Sequence, residues 1–182
     1  MNNYKALLYA LEQGQRFKYV YFWGHTPKHQ GEVDKACFSQ WYDSPFVVDG
    51  VEYATAEHYM MVRKAKLFGD TEVIELMLKS RDPGKVKALG RMVKGFNESL
   101  WCDHRLKIVA DGNYAKFSQN PALKDYLVAT KNRVLVEASP YDRVWGVGLS
   151  ADNENIKQPQ RWQGENLLGF ALMKVRSQLL ED

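Results

Sequence analysis

Hydrophobic and polar positions change period along this chain, and each change marks an element. Residues 3–13 carry Leu7, Leu8, Ala10 and Leu11 at helical spacing and stop at Gly14, which predicts a short helix. Residues 18–23, KYVYFW, are β-branched and aromatic and predict a strand. The polar run HTPKHQGEVDKA holds Pro and Gly, as surface loops do. Residues 47–53, VVDGVEY, give the clearest hairpin signal, because Asp49-Gly50 suits a type I′ turn between two β-rich arms. That hairpin leads to Thr55, a good helix N-cap, and the following run AEHYMMVRKAKLF reaches Phe68 without Pro or Gly.

Asp70 is placed to cap a helix over 71–79, and Asp82 with Pro83 opens another over GKVKALGRMV. Gly90 inside it costs about 1 kcal/mol relative to Ala, which points to close packing or a nearby ligand. Residues 98–118 form the longest helical run, with Leu106, Val109, Ala110, Asn113, Tyr114 and Phe117 on one broad face. Asn120-Pro121 breaks it, and a short helix follows over 121–129. LVEAS, 135–139, reads as a buried strand, 140–148 as a loop holding Trp145, 151–164 as a long polar surface loop, and 167–180 as a closing amphipathic helix. No repeat or linker interrupts this order. The expected architecture is α+β: a mainly helical single domain over 1–182 around a small β-sheet, its core at about 18–180, with residues 1–17 as an N-terminal helical extension.

Composition narrows the function. A chain of 182 residues suffices for one sizeable core. Aromatic residues make up 13%; they fill cores, and they also build stacking surfaces for bases and sugars. The net charge of +3 is too mild for an extended nucleic-acid surface and compatible with a small anionic ligand. Cys37 and Cys102 form no CxxC, and His25, His29, His58 and His104 are scattered, so a structural zinc site is not expected. Together with the absence of an apolar leader, the two cysteines lead us to expect a reducing cytoplasm. No segment approaches the roughly 18 apolar residues a membrane span requires. GxSxG, P-loop and GxGxxG motifs are absent, which removes support for nucleophilic-serine, NTPase and dinucleotide-fold readings.

The remaining candidates are carboxylates in aromatic company. Glu57 falls in a first helical turn, where the dipole keeps a carboxylate ionised. The helix is then either amphipathic, with Glu57 a mere dipole partner, or it aims Glu57 into a pocket for chemistry. Glu137 follows the apolar pair Leu135-Val136 and is either salt-bridged or functional. Asp142 shares a loop with Trp145 and is either a turn residue or a ligand contact. Trp101, Trp145 and Trp162 either pack or stack on a ligand. Lys64, Lys66, Arg91 and Lys94 are solvated charges or phosphate contacts.

The phrases YFWGHTP, FSQWYDSPFVVDGVEY, AEHYM with KAKLF, ALGRMVKGF, LWCDHR, NYAKFSQNPAL, LVEASPYDRVWGVG and NLLGFALMKVR run in this order from Tyr21 to Arg176. In this order the chain resembles the YbiA-like, or NADAR, family; Gln40 departs from it, since some members have Asn after the Ser. The resemblance implies hydrolysis of an N-glycosidic bond between a ribose and a nitrogen base. Some members cleave ribosylamino-pyrimidine phosphates of riboflavin biosynthesis; others remove ADP-ribose from modified guanine. A non-catalytic module binding NAD or ADP-ribose is the third alternative. By motif position the resemblance implies Glu57 and Asp142 as catalytic carboxylates, Trp101 and Trp145 as walls for the base, Arg91 and Lys66 as phosphate contacts, and Tyr59 and Asn166 as polar positioning residues. The expected partner is a small ribosylated, phosphate-bearing substrate, or an ADP-ribosylated nucleic acid, with no membrane. The scheme needs no metal and no cofactor, and the sequence carries no signal of oligomeric state.

Overall fold

The computed structural model describes residues 3–181. Met1 and Asn2, at the head of the expected extension, and Asp182, at the end of the expected domain, lie outside the described residues. The fold is α+β and mainly helical, with seven helices α1–α7 among the described residues and four short strands β1–β4. The small β component among the described residues consists of two strand pairs, β1 with β4 and β2 with β3. The chain packs into two compact units, one comprising the segments up to Ser39 and from Ala122, the other Gln40–Pro121.

In the first unit, β1 (Tyr19–Phe22) lies parallel to β4 (Val134–Glu137), with Tyr19 opposite Val134 and Phe22 opposite Glu137. Val134, Leu135 and Val136 are buried, the continuous apolar run expected of a strand covered on both faces. The closing helix α7 (Leu167–Glu181) packs on β4. The buried guanidinium of Arg176 donates from Nη1 to Thr130 Oγ1 at 2.6 Å and to the Arg133 carbonyl at 2.9 Å. α1 (Tyr4–Glu12) is capped by Asn3, whose side chain accepts from the Ala6 N–H. It is not loosely appended: Leu7 is fully buried, Tyr4 stacks on Trp162 at 5.8 Å, and its hydroxyl donates to the Pro159 carbonyl. The polar stretch 151–164 is accordingly no free surface loop. Short 3-10 turns at Glu154–Lys157 and Pro159–Arg161 bury Ile156, Pro159 and Trp162, and the indole N–H donates to the Ile156 carbonyl.

The second unit opens with the hairpin of β2 (Phe46–Val48) and β3 (Val51–Tyr53). Asp49 and Gly50 both have positive φ, 53° and 77°, as the type I′ turn requires. α2 (Ala56–Leu67) follows, and α3 (Thr71–Lys79), α4 (Pro83–Arg91) and α5 (Glu98–Gln119) pack against it. Between the units in sequence, α6 (Pro121–Ala129) follows the Asn120-Pro121 break. Asp82 caps α4 by accepting from Gly84 and Lys85 N–H groups. Asp70 makes no such cap on α3; its Oδ2 accepts instead from the Lys94 N–H at 2.9 Å. Gly90 marks close packing: a Cβ there would run into Met61 of α2.

Candidate active site

α2 is the centre of the second unit. Ala56 through Val62, and Ala65, are all buried, so the helix has no broad polar face in water and is not a plain amphipathic helix. Its start is fixed twice. Thr55 Oγ1 accepts from the His58 N–H and bonds His58 Nδ1 at 2.8 Å. His58 Nε2 lies 2.9 Å from the Ser80 carbonyl. A carbonyl only accepts, so Nε2 carries a proton; in the neutral ring Nδ1 then accepts from the threonine hydroxyl.

Burial pushes the His58 pKa down, against the opposing pull of the Ser80 carbonyl. Folding therefore favours the neutral ring. Above an unfolded value of about 6.5 this costs nothing; below it the unfolded chain takes up a proton that the folded chain refuses, and stability falls. The melting temperature is expected to drop as pH is lowered from 7.5 to 5, and His58→Gln is expected to flatten that slope. A slope unchanged by His58→Gln would assign the effect to other groups.

Glu57, the next residue, is 3% exposed. It sits at the positive end of α2, and its N–H donates to the Gln40 carbonyl at 2.9 Å. Seven residues on, two helical turns along the same face, is Lys64. Its Nζ donates to the Gly90 carbonyl at 2.7 Å and lies 4.4 Å from the Phe96 ring centre and 5.6 Å from that of Trp101. Burial lowers the Lys64 pKa, while the charge of Glu57 pulls it back up. One ammonium proton is spent on Gly90, which leaves two donors for a ligand.

The other expected residues of this unit stand as follows. Trp101 is half-buried beside Lys64. Lys66 is exposed, a different face from Glu57, and Arg91 is the exposed last residue of α4. Tyr59 is a core residue: it is buried among Phe46 and Tyr53, its ring blocks any side chain at Gly112, and Arg63 lies over it at 5.9 Å. The sequence pairs Lys64 with Lys66 as equal candidates, and motif position alone favours Lys66. The i to i+7 step from Glu57 is the signal that singles out Lys64.

In the first unit, the Asp142 carboxylate accepts from the Val144 and Trp145 N–H groups through one oxygen, at 2.9 and 2.7 Å. That is an Asx turn, and it fixes the backbone that carries Trp145, whose indole is half-buried. Asn166 is fully buried at φ 55°. Its amide donates to the Leu135 carbonyl and accepts from the Glu137 N–H, at 2.9 and 3.0 Å. The side chain therefore prolongs the ladder of β4 and places Glu137, half-buried at the strand's end. No group of three or more His, Cys, Asp or Glu side chains that could hold a metal occurs among the described residues. None of the described helices is long and apolar enough to cross a membrane.

α2 thus carries a buried carboxylate at its start and, on the same face, a half-buried lysine beside two aromatic rings. The chain belongs to the NADAR domain family, whose model matches residues 21–180. The N-glycosidase R617 of Acanthamoeba polyphaga mimivirus is 43% identical over 166 residues, 88% of this chain and 96% of that protein. A riboflavin biosynthesis protein of Vibrio vulnificus is 27% identical over 176 residues, 97% of this chain and 42% of its own length. The solution structure of E. coli YbiA superposes with a TM-score of 0.73 at 26% identity, covering 92% of this chain and 88% of the other.

Proposed function

We propose that this protein is an N-glycosidase that hydrolyses the bond between a ribose phosphate and a pyrimidine-type base, with Glu57 as its essential carboxylate. The observation that carries this reading is the pair on one face of α2: Glu57, withdrawn from water, and Lys64, whose ammonium faces two aromatic rings. In the proposed reaction the bond from C1′ to nitrogen breaks and positive charge spreads over C1′ and the ring oxygen. Glu57 stabilises that charge and receives a proton from the attacking water. The water oxygen stays on C1′, and the proton that Glu57 takes from it passes to the leaving nitrogen, which departs as the free amine and leaves Glu57 a carboxylate again. Lys64, rather than the exposed Lys66, meets the phosphate in this reading; Trp101 walls the base. Arg91 and Lys66 remain outer contacts for the same anion. Asp142 acts by holding Trp145, and Asn166 by holding the end of β4.

The names of the relatives support the class: R617 is called an N-glycosidase, and the Vibrio protein is named for riboflavin biosynthesis. Removal of ADP-ribose from guanine in a nucleic acid is the second reading, and one feature favours it. Trp23 and Tyr141, 55% and 86% exposed, pair at 6.1 Å, a surface on which neighbouring bases can stack. We place the enzyme in a reducing cytoplasm, in keeping with two cysteines that are not joined in a disulfide, one of them exposed.

The test is base release from two substrates, a ribosylamino-pyrimidine phosphate and a guanine ADP-ribosylated in single-stranded DNA. Turnover of the first alone supports the proposal. Turnover of the second alone moves the function to de-modification, and ligand binding without turnover of either leaves a binding module. Lys64→Met, which keeps the packing against Phe96 and Trp101, is expected to raise KM for the phosphorylated substrate by roughly 10- to 100-fold, the worth of one charged hydrogen bond. An equal effect on a substrate lacking the phosphate would remove Lys64 from that role.

A further inference from the structure

Gln40 and Asn113 are 8% and 0% exposed, and their amides meet: Asn113 Nδ2 donates to Gln40 Oε1 at 2.7 Å. The same Nδ2 donates to the Val109 carbonyl, one turn back on α5, at 2.8 Å. A backbone carbonyl only accepts, so Val109 determines which end of the Asn113 amide is nitrogen. That nitrogen in turn holds the Gln40 oxygen towards itself. Two polar atoms are left over, the donor Gln40 Nε2 and the acceptor Asn113 Oδ1, both buried and with no hydrogen-bond partner among the described residues. Buried polar atoms cost their full desolvation when unmet, whereas an apolar pair of like shape would not. The pair is also tied to the reactive carboxylate, since the Gln40 main-chain carbonyl accepts from the Glu57 N–H.

A neighbouring donor and acceptor select a ligand group. A phosphate or carboxylate oxygen meets Asn113 Oδ1 with like polarity, an ammonium meets Gln40 Nε2 with like polarity, and a methylene satisfies neither. A hydroxyl satisfies both through one oxygen. Resting on the hydrolase reading above, we infer that Gln40 and Asn113 form a specificity element that binds one hydroxyl of the ribosyl group, Nε2 donating to the hydroxyl oxygen and the hydroxyl donating to Oδ1. Gln40 thereby couples recognition of the sugar to the segment that carries Glu57.

The test is calorimetric binding of ribose 5-phosphate, its 2-deoxy form and its 3-deoxy form to the wild-type protein, to Gln40→Met and to the double variant Gln40→Met/Asn113→Leu. The wild type is expected to bind ribose 5-phosphate at least tenfold more tightly than one deoxy form. Both variants are expected to lose that discrimination, with the double variant's melting temperature equal to or above the wild type's. Discrimination that survives in the variants, or no discrimination or binding in the wild type, overturns the inference. So does a double variant that is more stable and binds all three ligands as the wild type does, which would reduce the pair to a seat for internal water. Should the double variant fail to fold, the wild-type series and Gln40→Met still decide. Turnover by Glu57→Gln tests the hydrolase reading separately: an enzyme that depends on Glu57 but ignores the sugar hydroxyls loses the inference alone.

Discussion

Glu57→Gln is expected to lower base release by about 10²- to 10³-fold, the usual loss when one group facing transition-state charge is removed. The substitution keeps the shape of the side chain and removes its charge. At the start of α2 that forfeits about 0.5 kcal/mol of dipole interaction. The folded protein also no longer holds a carboxylate at 3% exposure, which is favourable. These small terms oppose each other, so the melting temperature is expected to stay within about 3 °C of wild type. A second readout is independent of substrate. The Glu57 charge holds the Lys64 pKa up against burial, so Glu57→Gln is expected to lower that pKa further, visible by NMR of the lysine side chain. Unchanged turnover would remove Glu57 from the chemistry; an unchanged Lys64 titration would mean that Glu57 is not an anion in the folded protein.

What the sequence makes legible here is local. The Asp49-Gly50 turn, the Thr55 and Asp82 caps and the Asn120-Pro121 break are each decided by a few adjacent residues, and each stands where expected. The same locality explains the misplacements. Asp70 has the right side chain for a cap, yet a backbone N–H 24 residues away takes it. Residues 151–164 read as polar because Ile156, Pro159 and Trp162 are spaced by turns rather than by a helix or strand period; Pro159 and Trp162 meet Tyr4 of α1, more than a hundred residues earlier. The β1–β4 pairing joins segments equally far apart, and no short-range pattern specifies a parallel neighbour.

The site divides in the same way. Motif order brings attention to Glu57, but its burial comes from packing on every side of α2, which the weak amphipathic pattern of AEHYMMVRKAKL conceals. Lys64 and Lys66 differ in sequence by two places and in structure by a face. Asn113 shows in the sequence only as a polar residue in an otherwise apolar stripe, and its bond to Gln40, 73 positions away, is a tertiary event. Asp142 and Asn166 bond backbone groups through their side chains, contacts that residue type alone does not announce.

Gly169→Ala is expected to be the most destabilising single-methyl change in α7, and the reason lies in one junction. A Cβ at Gly169 would run into the Leu135 carbonyl oxygen and come within 2.5 Å of Asn166 Nδ2 and 2.7 Å of its Oδ1. None of these atoms is the free end of a flexible chain. The Leu135 oxygen belongs to a buried strand, and Asn166 is bonded to that oxygen and to the Glu137 N–H. Either α7 backs away from β4, opening the core around Leu168, Phe170 and Leu172, or Asn166 swings out and leaves two buried backbone groups unmet. Overpacking of this kind costs about 3 kcal/mol, and each unmet group adds about 1 to 3 kcal/mol. For a chain of this size a loss of 3 kcal/mol corresponds to roughly 10 °C in melting temperature. Lys174→Ala, on the exposed side of the same helix, is expected to stay within about 0.5 kcal/mol of wild type. Urea unfolding of the two variants side by side measures the difference. A Gly169→Ala protein as stable as Lys174→Ala would mean that α7 and β4 do not meet this closely, and that Asn166 does not place the end of the strand that carries Glu137.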